Sequence, residues 1–389
     1  MEPGHHINVR ISEVKLVTRT GVVLTAAALS LSLAACSASN EPAASGSSDT
    51  ATTGTDAGAT TAALSGTLNG AGSSAQESAM DTWRAAFQSE NPDLVINYDP
   101  VGSGGGRTQF FDGAVSWAGS DSALSEADGE YDAAAARCGT DGAINLPVYI
   151  SPIAVVFNLP GVTSLNLDSA TIAKIFDGKI TKWNDDAIAS QNDGVTLPDT
   201  AITIVHRADD SGTTKNFTDY LAQTSDGAWG YDASGVWPTD KGESGQGTSG
   251  LMEIVTGTEG AIGYADDSKA GDMGKVAIKV GEEYNAPSSE GAATTLSDST
   301  VASVNGDNDL AYTINRTTTQ SGAYPLMLLS YAIVCQSYDD ATEAANVTGF
   351  LSYVASEAGQ QAAASASGSA PLPTDLSAQV EDILAQIAG

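Results

Sequence analysis

Between His206 and Thr214 the chain reads His-Arg-Ala-Asp-Asp-Ser-Gly-Thr-Thr, which gathers a cation, two carboxylates, three hydroxyls and a glycine into one short stretch. Two chemistries fit those residue types. Ser211, His206 and Asp209 are the members of a hydrolase triad, but His206 and Ser211 flank a tight turn and no Gly-x-Ser-x-Gly elbow surrounds the serine. The other histidines, His5 and His6, lie in the first residues of the chain. The second chemistry is oxyanion binding. Arg207 supplies charge, and Ser211, Gly212 and Thr213 fall where a helix begins, so their backbone N–H groups lack intrahelical partners and the helix dipole favours an anion there.

Three further segments pair glycine with polar groups. Asn69-Gly70-Ala71-Gly72-Ser73-Ser74 enters a helix, with Ser74 and Glu77 at capping-box spacing. Val101-Gly102-Ser103-Gly104-Gly105-Gly106-Arg107 invites a nucleotide-loop reading that fails: Arg107 stands where the dinucleotide pattern needs its last glycine, and no Gly-Lys-Ser/Thr is present. What remains is a loop with open backbone N–H groups and the Ser103 hydroxyl. Ala118-Gly119-Ser120-Asp121 ends on a carboxylate. No His, Cys, Asp or Glu cluster has metal-ligand spacing, so neither a metal nor a cofactor is expected.

The elements that must carry these groups follow from hydrophobic period. Ala201 to Val205 alternates as a strand, and Phe217, Tyr220 and Leu221 share one helix face. Leu64 to Leu68 is a strand, followed by a helix with Ala79, Met80, Trp83, Ala86 and Phe87 on one side. Leu94 to Tyr98, Val115 to Asp121 and Gly260 to Tyr264 are further strands. Asn145 to Leu159 and Tyr324 to Val334 are strongly apolar and suit buried strands that cross between two lobes. Thr171 to Trp183 reads as a helix and turn, Trp229 to Gly250 as loop, Gly281 to Asp309 as a polar excursion, and the residues after Asp340 as helices. Alternating strands and helices with two crossings predict an α/β protein of two lobes.

Composition narrows the partners. The 389 residues hold 16 Lys plus Arg against 48 Asp plus Glu, a net charge of -32, which argues against nucleic acid or an anionic membrane surface. After Cys36 arginine occurs only at 84, 107, 137, 207 and 316, so Arg207 is expected to be the single full positive charge of any anion site. At the N-terminus Lys15 and Arg19 flank an apolar stretch from Gly21 to Leu33, which closes on Leu33-Ala34-Ala35-Cys36. This resembles a lipoprotein signal over 1–35, with Cys36 lipidated and a Ser/Ala/Thr/Gly-rich tether over 36–65. Cys138 and Cys335 are then left over; an oxidising compartment allows them to bridge, and two buried thiols are the alternative.

The segments quoted above, together with Phe176-Asp177-Gly178-Lys179-Ile180-Thr181-Lys182-Trp183-Asn184-Asp185 and Gly260-Ala261-Ile262-Gly263-Tyr264, occur in the order found in the PstS-type phosphate-binding lipoproteins of bacterial phosphate ABC transporters, which the chain resembles from about Leu64 to Leu384. The resemblance implies a type II periplasmic-binding-protein fold. Its first lobe would be 66–150 completed by 324–389, and its second lobe 151–323. It implies a non-enzymatic, monomeric receptor on the outer face of the cell membrane that binds inorganic phosphate and delivers it to a permease. Carried over position by position, the phosphate site would be Ser74, Ala75, Ser103, Asp121, Arg207, Ser211, Gly212 and Thr213, with Asp209 orienting Arg207. Ala75 stands where the family usually has an aromatic residue. Asp121 would accept a hydrogen bond from phosphate, which retains an O–H at neutral pH, and repel sulfate, which has none.

Overall fold

The computed structural model describes residues 64–302 and 304–389. The signal segment 1–35, the lipidation site Cys36 and most of the tether 36–65 lie outside the described residues. Strand β1 (Gly66–Gly72) leads to helix α1 (Glu77–Glu90), β2 (Leu94–Asp99) to α2 (Ser103–Phe111), and β3 (Trp117–Ser120) to α3 (Glu130–Cys138). The long strand β4 (Ala143–Phe157) is followed by β5 (Ser164–Leu167), α4 (Ser169–Phe176), α5 (Asp186–Ala189), β6 (Thr203–Arg207) and α6 (Gly212–Thr224). Then come β7 (Glu243–Gly245), α7 (Gly247–Gly257), β8 (Ala261–Asp266), β9 (Gly274–Val280), β10 (Glu283–Asn285) and α8 (Ser289–Ser297). Short strands β11 (Thr300–Val301) and β12 (Tyr312–Thr313) precede β13 (Met327–Cys335), and α9 (Ala341–Ala355), α10 (Glu357–Ser367) and α11 (Thr374–Leu384) close the chain.

The strand order is β2-β1-β3-β13-β4-β8-β6-β7, with β9 joining β4, β5 and β10 at the side. Strand β1 is parallel to β2 and β3, and β6 is parallel to β7 and β8. These two parallel sets are joined by antiparallel β13 and β4. Strand β4 pairs with β13 as far as Pro152 and with β8 from Ile153 onward. Every residue of β4 and β13 is buried, which is why both read as unbroken apolar runs rather than alternating ones. Helices cover the sheet, and Phe217, Tyr220 and Leu221 form the buried face of α6 as their spacing predicts. Phe217 stacks on Tyr264 of β8 with ring centres 4.3 Å apart, which seats α6 on the strand beside β6.

Four local expectations are corrected. The glycine run after Val101 is not a loop but the first turn of α2, entered through Gly102 at φ 92°. The stretch from Trp229 to Gly250 contains β7 and the start of α7, and the polar excursion contains α8. The capping box at Ser74 does not form: α1 begins at Glu77 after Gln76, without a side-chain cap. In place of the box, the Ser73 hydroxyl accepts the N–H groups of Ala75 and Gln76.

Cys138 at the end of α3 and Cys335 at the end of β13 form a disulfide across 197 residues of sequence. A closed loop of that length stabilises the folded state by roughly 5 kcal/mol in the chain-entropy model. Asp266, which ends β8 opposite Ile153 of β4, is fully buried. Its carboxylate accepts from the Tyr149 hydroxyl and from the Ser268 N–H and hydroxyl. Desolvation by burial pushes its pKa from 3.8 up to about 6, against the opposing pull of hydrogen bonding by Ser268 and Ser151. Within that window the folded state holds more protons than the unfolded chain, so stability falls as pH rises and the deficit is complete above it. A shift of this size corresponds to about 3 kcal/mol. Asp266→Asn is therefore expected to gain melting temperature relative to wild type as pH is raised from about 4 to about 8, a trend read by thermal unfolding in phosphate-free buffer.

Candidate functional site

Each polar group singled out in the sequence lies at an element boundary. Ser74 sits between β1 and α1, Ser103 is the first residue of α2, Asp121 directly follows β3, Arg207 ends β6, and Ser211 caps α6. The Ser211 hydroxyl accepts the Thr214 N–H at 3.2 Å, and its own N–H donates to the Gly235 carbonyl at 2.9 Å. Gly212 and Thr213 occupy the first two helical positions of α6, where an N–H has no intrahelical acceptor. The helix start is thus a pair of N–H donors beside the Thr213 hydroxyl.

Arg207 is 3% exposed, and its guanidinium is held in a fork. Nε and Nη2 donate to the two oxygens of Asp209 at 2.8 and 2.5 Å, and Nη1 reaches the Thr248 hydroxyl at 3.5 Å. A guanidinium has five N–H donors, so about two remain for another partner. Asp209 is fixed in turn by the Gly247 N–H at 3.0 Å. The Arg207 backbone N–H donates to the Tyr264 hydroxyl, which also bonds Thr214 at 2.8 Å. Burial pushes the Tyr264 hydroxyl up to about 12, so it stays protonated and serves both neighbours.

Facing this wall, Asp121 is 2% exposed and bonded at every polar atom. One carboxylate oxygen accepts from the hydroxyls of Ser73 and Ser330, each at 2.5 Å, and the other from Thr213 at 2.9 Å. Its backbone N–H donates to Ser103 Oγ at 3.1 Å, and its carbonyl accepts from Asn216 Nδ2 at 2.6 Å. The walls therefore touch: residues of α6 meet residues more than 90 positions earlier. Ser74 adds a third contact, since its hydroxyl accepts the Thr248 N–H at 3.0 Å and pairs with the Thr248 hydroxyl at 2.9 Å. Ala75 is buried, and its N–H is turned to Ser73 Oγ at 3.1 Å.

Glycines set the closeness of these walls. A Cβ on Gly212 would lie 2.6 Å from Ser103 Oγ and 2.8 Å from the Asp121 Cβ. On Gly106 it would overlap the backbone of Ala71 and Gly72, because α2 rests directly against β1. The Gly104 N–H crosses to the Asp210 carbonyl at 3.0 Å.

The expectation that Arg207 is the only positive charge nearby needs revision. Arg107, buried on α2, donates to Glu130, Ser120 and Ser122 and lies 3.6 Å from the Asp210 carboxylate. Sequence reasoning also passes over Ser73, Asn216, Thr248 and Ser330 as site groups. Only Thr248 has a legible signal, since Leu251, Met252 and Val255 mark a helix starting at its position. The hydrolase triad is not assembled: His206 Nδ1 is 2.9 Å from the Arg207 carbonyl, its ring stacks on Trp237, and burial lowers its pKa. A cavity of about 270 Å³ adjoins Asp121, lined by Lys215, Asn216, Asp219, Tyr312 and Arg316 among others, but Arg207, Ser211 and Thr213 are outside it. Among the described residues, no group of three or more His, Cys, Asp or Glu is placed to hold a metal ion.

This geometry can be set beside known proteins. Residues 57–358 match the PBP superfamily domain. The phosphate-binding protein PstS2 of Mycobacterium bovis is 37% identical over 317 residues, covering 80% of this chain and 85% of that protein. The chain belongs to the PstS phosphate-binding protein family. Phosphate-binding protein PstS 3 of Mycobacterium leprae is 40% identical over 289 residues, covering 73% of this chain and 78% of its own. The type II binding-protein fold is shared with a high-affinity periplasmic phosphate-binding protein solved with phosphate at pH 8.5, at a TM-score of 0.65 and 21% identity over 82% of this chain and 93% of that one. The phosphate-binding protein from Stenotrophomonas maltophilia has the same fold at a TM-score of 0.61 and 21% identity, over 82% of this chain and 93% of that one.

In this family member the fit of α2 against β1 is what places Ser103 beside Asp121. Gly106→Ala is expected to cost roughly 1–3 kcal/mol of stability through overpacking, measured by denaturant unfolding; wild-type stability would show that the contact can relax.

Proposed function

We propose that the chain is an extracytoplasmic receptor that binds inorganic phosphate between two lobes and delivers it to an ABC permease. The lobes would be 66–150 with 324–389, and 151–323; the change of partner along β4 near Pro152 supports that division. The names of its relatives support phosphate as the ligand, and the sequence around Cys36 supports a lipid anchor that holds a monomer on the outer membrane face. On this reading the protein does no chemistry on its ligand.

The observation that carries the proposal is the pairing of a buried acceptor, Asp121, with donors from Arg207 and the start of α6. Phosphate oxygens would take the remaining Arg207 N–H groups, the Gly212 and Thr213 N–H groups, and the hydroxyls of Ser74, Ser103 and Ser211; the Ala75 N–H, turned to Ser73 Oγ, would have to swing round to join them. The O–H that phosphate keeps at neutral pH would donate to Asp121. Sulfate offers no such proton, so its oxygen would meet a desolvated carboxylate. Leaving a buried group unmatched costs a few kcal/mol, enough for selectivity of roughly 100-fold or more. The Arg207–Asp209 pair contributes fixed donors with little net charge.

Titration calorimetry of the purified protein with phosphate, arsenate and sulfate in parallel tests this. Tight phosphate binding is expected, with Arg207→Ala weakening it by roughly 100-fold or more and Asp121→Asn eroding the preference over sulfate. Absence of phosphate binding by the wild type would end the proposal.

A further inference from the structure

We propose that Ser330, on the joining strand β13, is a positioning residue that sets anion selectivity by fixing which way the Asp121 carboxylate faces. The inference rests on the phosphate-receptor reading and adds to it a residue far from the glycine-and-serine turns. Ser330 is fully buried, and its hydroxyl donates at 2.5 Å to Asp121 Oδ1 from 209 positions away in sequence. Ser73 donates to the same oxygen, also at 2.5 Å. Two of the three hydroxyls on this carboxylate thus hold one oxygen. The other oxygen, Oδ2, meets only Thr213 among the described residues, at the start of α6.

A carboxylate bound on one oxygen by two donors, one from the turn after β1 and one from β13, cannot rotate about its Cβ–Cγ bond without breaking both bonds at once. Oδ2 is therefore held toward the anion-binding end of α6 whether or not the anion brings a proton. For a protonated oxyanion this prepays the orientation of the acceptor. A fully deprotonated one meets a negative oxygen that cannot swing aside. Both consequences depend on the same two hydroxyls. Ser330 is the more telling of the two, because Ser73 also receives the Ala75 and Gln76 N–H groups at the start of α1, whereas Ser330 is a small polar residue inside the wholly buried strand β13. Among the described residues, the Ser330 hydroxyl reaches no other side chain.

The expected effect is asymmetric. In the full-length protein, Ser330→Ala should weaken phosphate binding by roughly tenfold, the scale of one lost hydrogen bond to a charged group. Sulfate affinity should hold or rise, because the carboxylate can now turn away, so the selectivity ratio falls by at least the same factor. Ser330→Thr keeps the hydroxyl and should restore both affinities. Calorimetric titration with phosphate and with sulfate, by competition where binding is weak, reads all of these. Equal loss for both anions, or unchanged affinities, would reduce Ser330 to a packing residue and overturn the inference, as would failure of the threonine variant to restore selectivity. If Ser330→Ala does not fold, Ser73→Ala removes the other donor to Oδ1 and must produce the same asymmetry. Wild-type protein that ignores phosphate would instead defeat the receptor reading on which the inference stands.

Discussion

A carboxylate shut away from water must find its hydrogen-bond donors within the fold, and Asp121 finds them on segments far apart in sequence. Ser73 comes from the turn after β1, Ser330 from β13, and Thr213 from α6. Hydrogen bonds to a charged group are worth about 1.5–3 kcal/mol each, and a missing one leaves a desolvation cost of similar size. The carboxylate therefore draws these segments toward one point. Its partners are three hydroxyls, not a cation. A bound arginine or lysine would have occupied the oxygens with charge of its own; hydroxyls hold the group in place and leave it an acceptor.

Arg207 is kept apart from that carboxylate and balanced separately. Arg207 is bound in a fork by Asp209, which the Gly247 N–H fixes in turn. A pair so arranged presents N–H donors without a large uncompensated charge. This matters in a protein of net charge -32, where a bare anion approaches against the surface field. Salt screens that field beyond about 10 Å, while oriented donors act at contact distance in a low-dielectric cleft. Short-range geometry can then outweigh long-range repulsion. The glycines serve the same end: with no side chain at Gly104 its N–H reaches the Asp210 carbonyl, and with none at Gly212 the start of α6 packs directly against Ser103 and Asp121.

Much of this arrangement is legible in the amino-acid sequence alone. The strands and the α6 face follow from hydrophobic period, and the boundaries carrying Ser74, Ser103, Asp121 and Arg207 follow from turn chemistry after strands. The departures are local and have physical causes. A glycine run reads as loop because glycine disfavours helix; at Gly104 and Gly106 the close approach of Asp210 and of β1 excludes any side chain, and that constraint is tertiary. Ser74 has the spacing to Glu77 that a cap requires, yet its hydroxyl is engaged by Thr248, 174 residues away. Ser330 is illegible for the same reason. A serine inside an apolar strand gives no local sign of what it touches across the sheet.

Arg316 shows how the joining strand β13 and helix α6 are made one unit. It is buried, and its Nη1 donates to the carbonyls of Pro325 and Met327, where β13 begins, at 2.8 Å each. Nε pairs with Asp219 at 2.9 Å, and Nη2 bonds the side chain of Asn216. Asn216 passes the connection on, donating to the Gly212 carbonyl at 2.9 Å and to the Asp121 carbonyl at 2.6 Å. One guanidinium therefore holds β13, the body of α6 and, through one amide, the backbone of Asp121. Lysine could not replace it, because a single ammonium lacks the planar fork that reaches four acceptors in fixed directions. Nor can the group shed its charge to escape a lost partner, since arginine stays protonated in proteins. Moving α6 away from β13 would leave a buried cation short of acceptors, and the start of α6 keeps its place beside Asp121 for that reason.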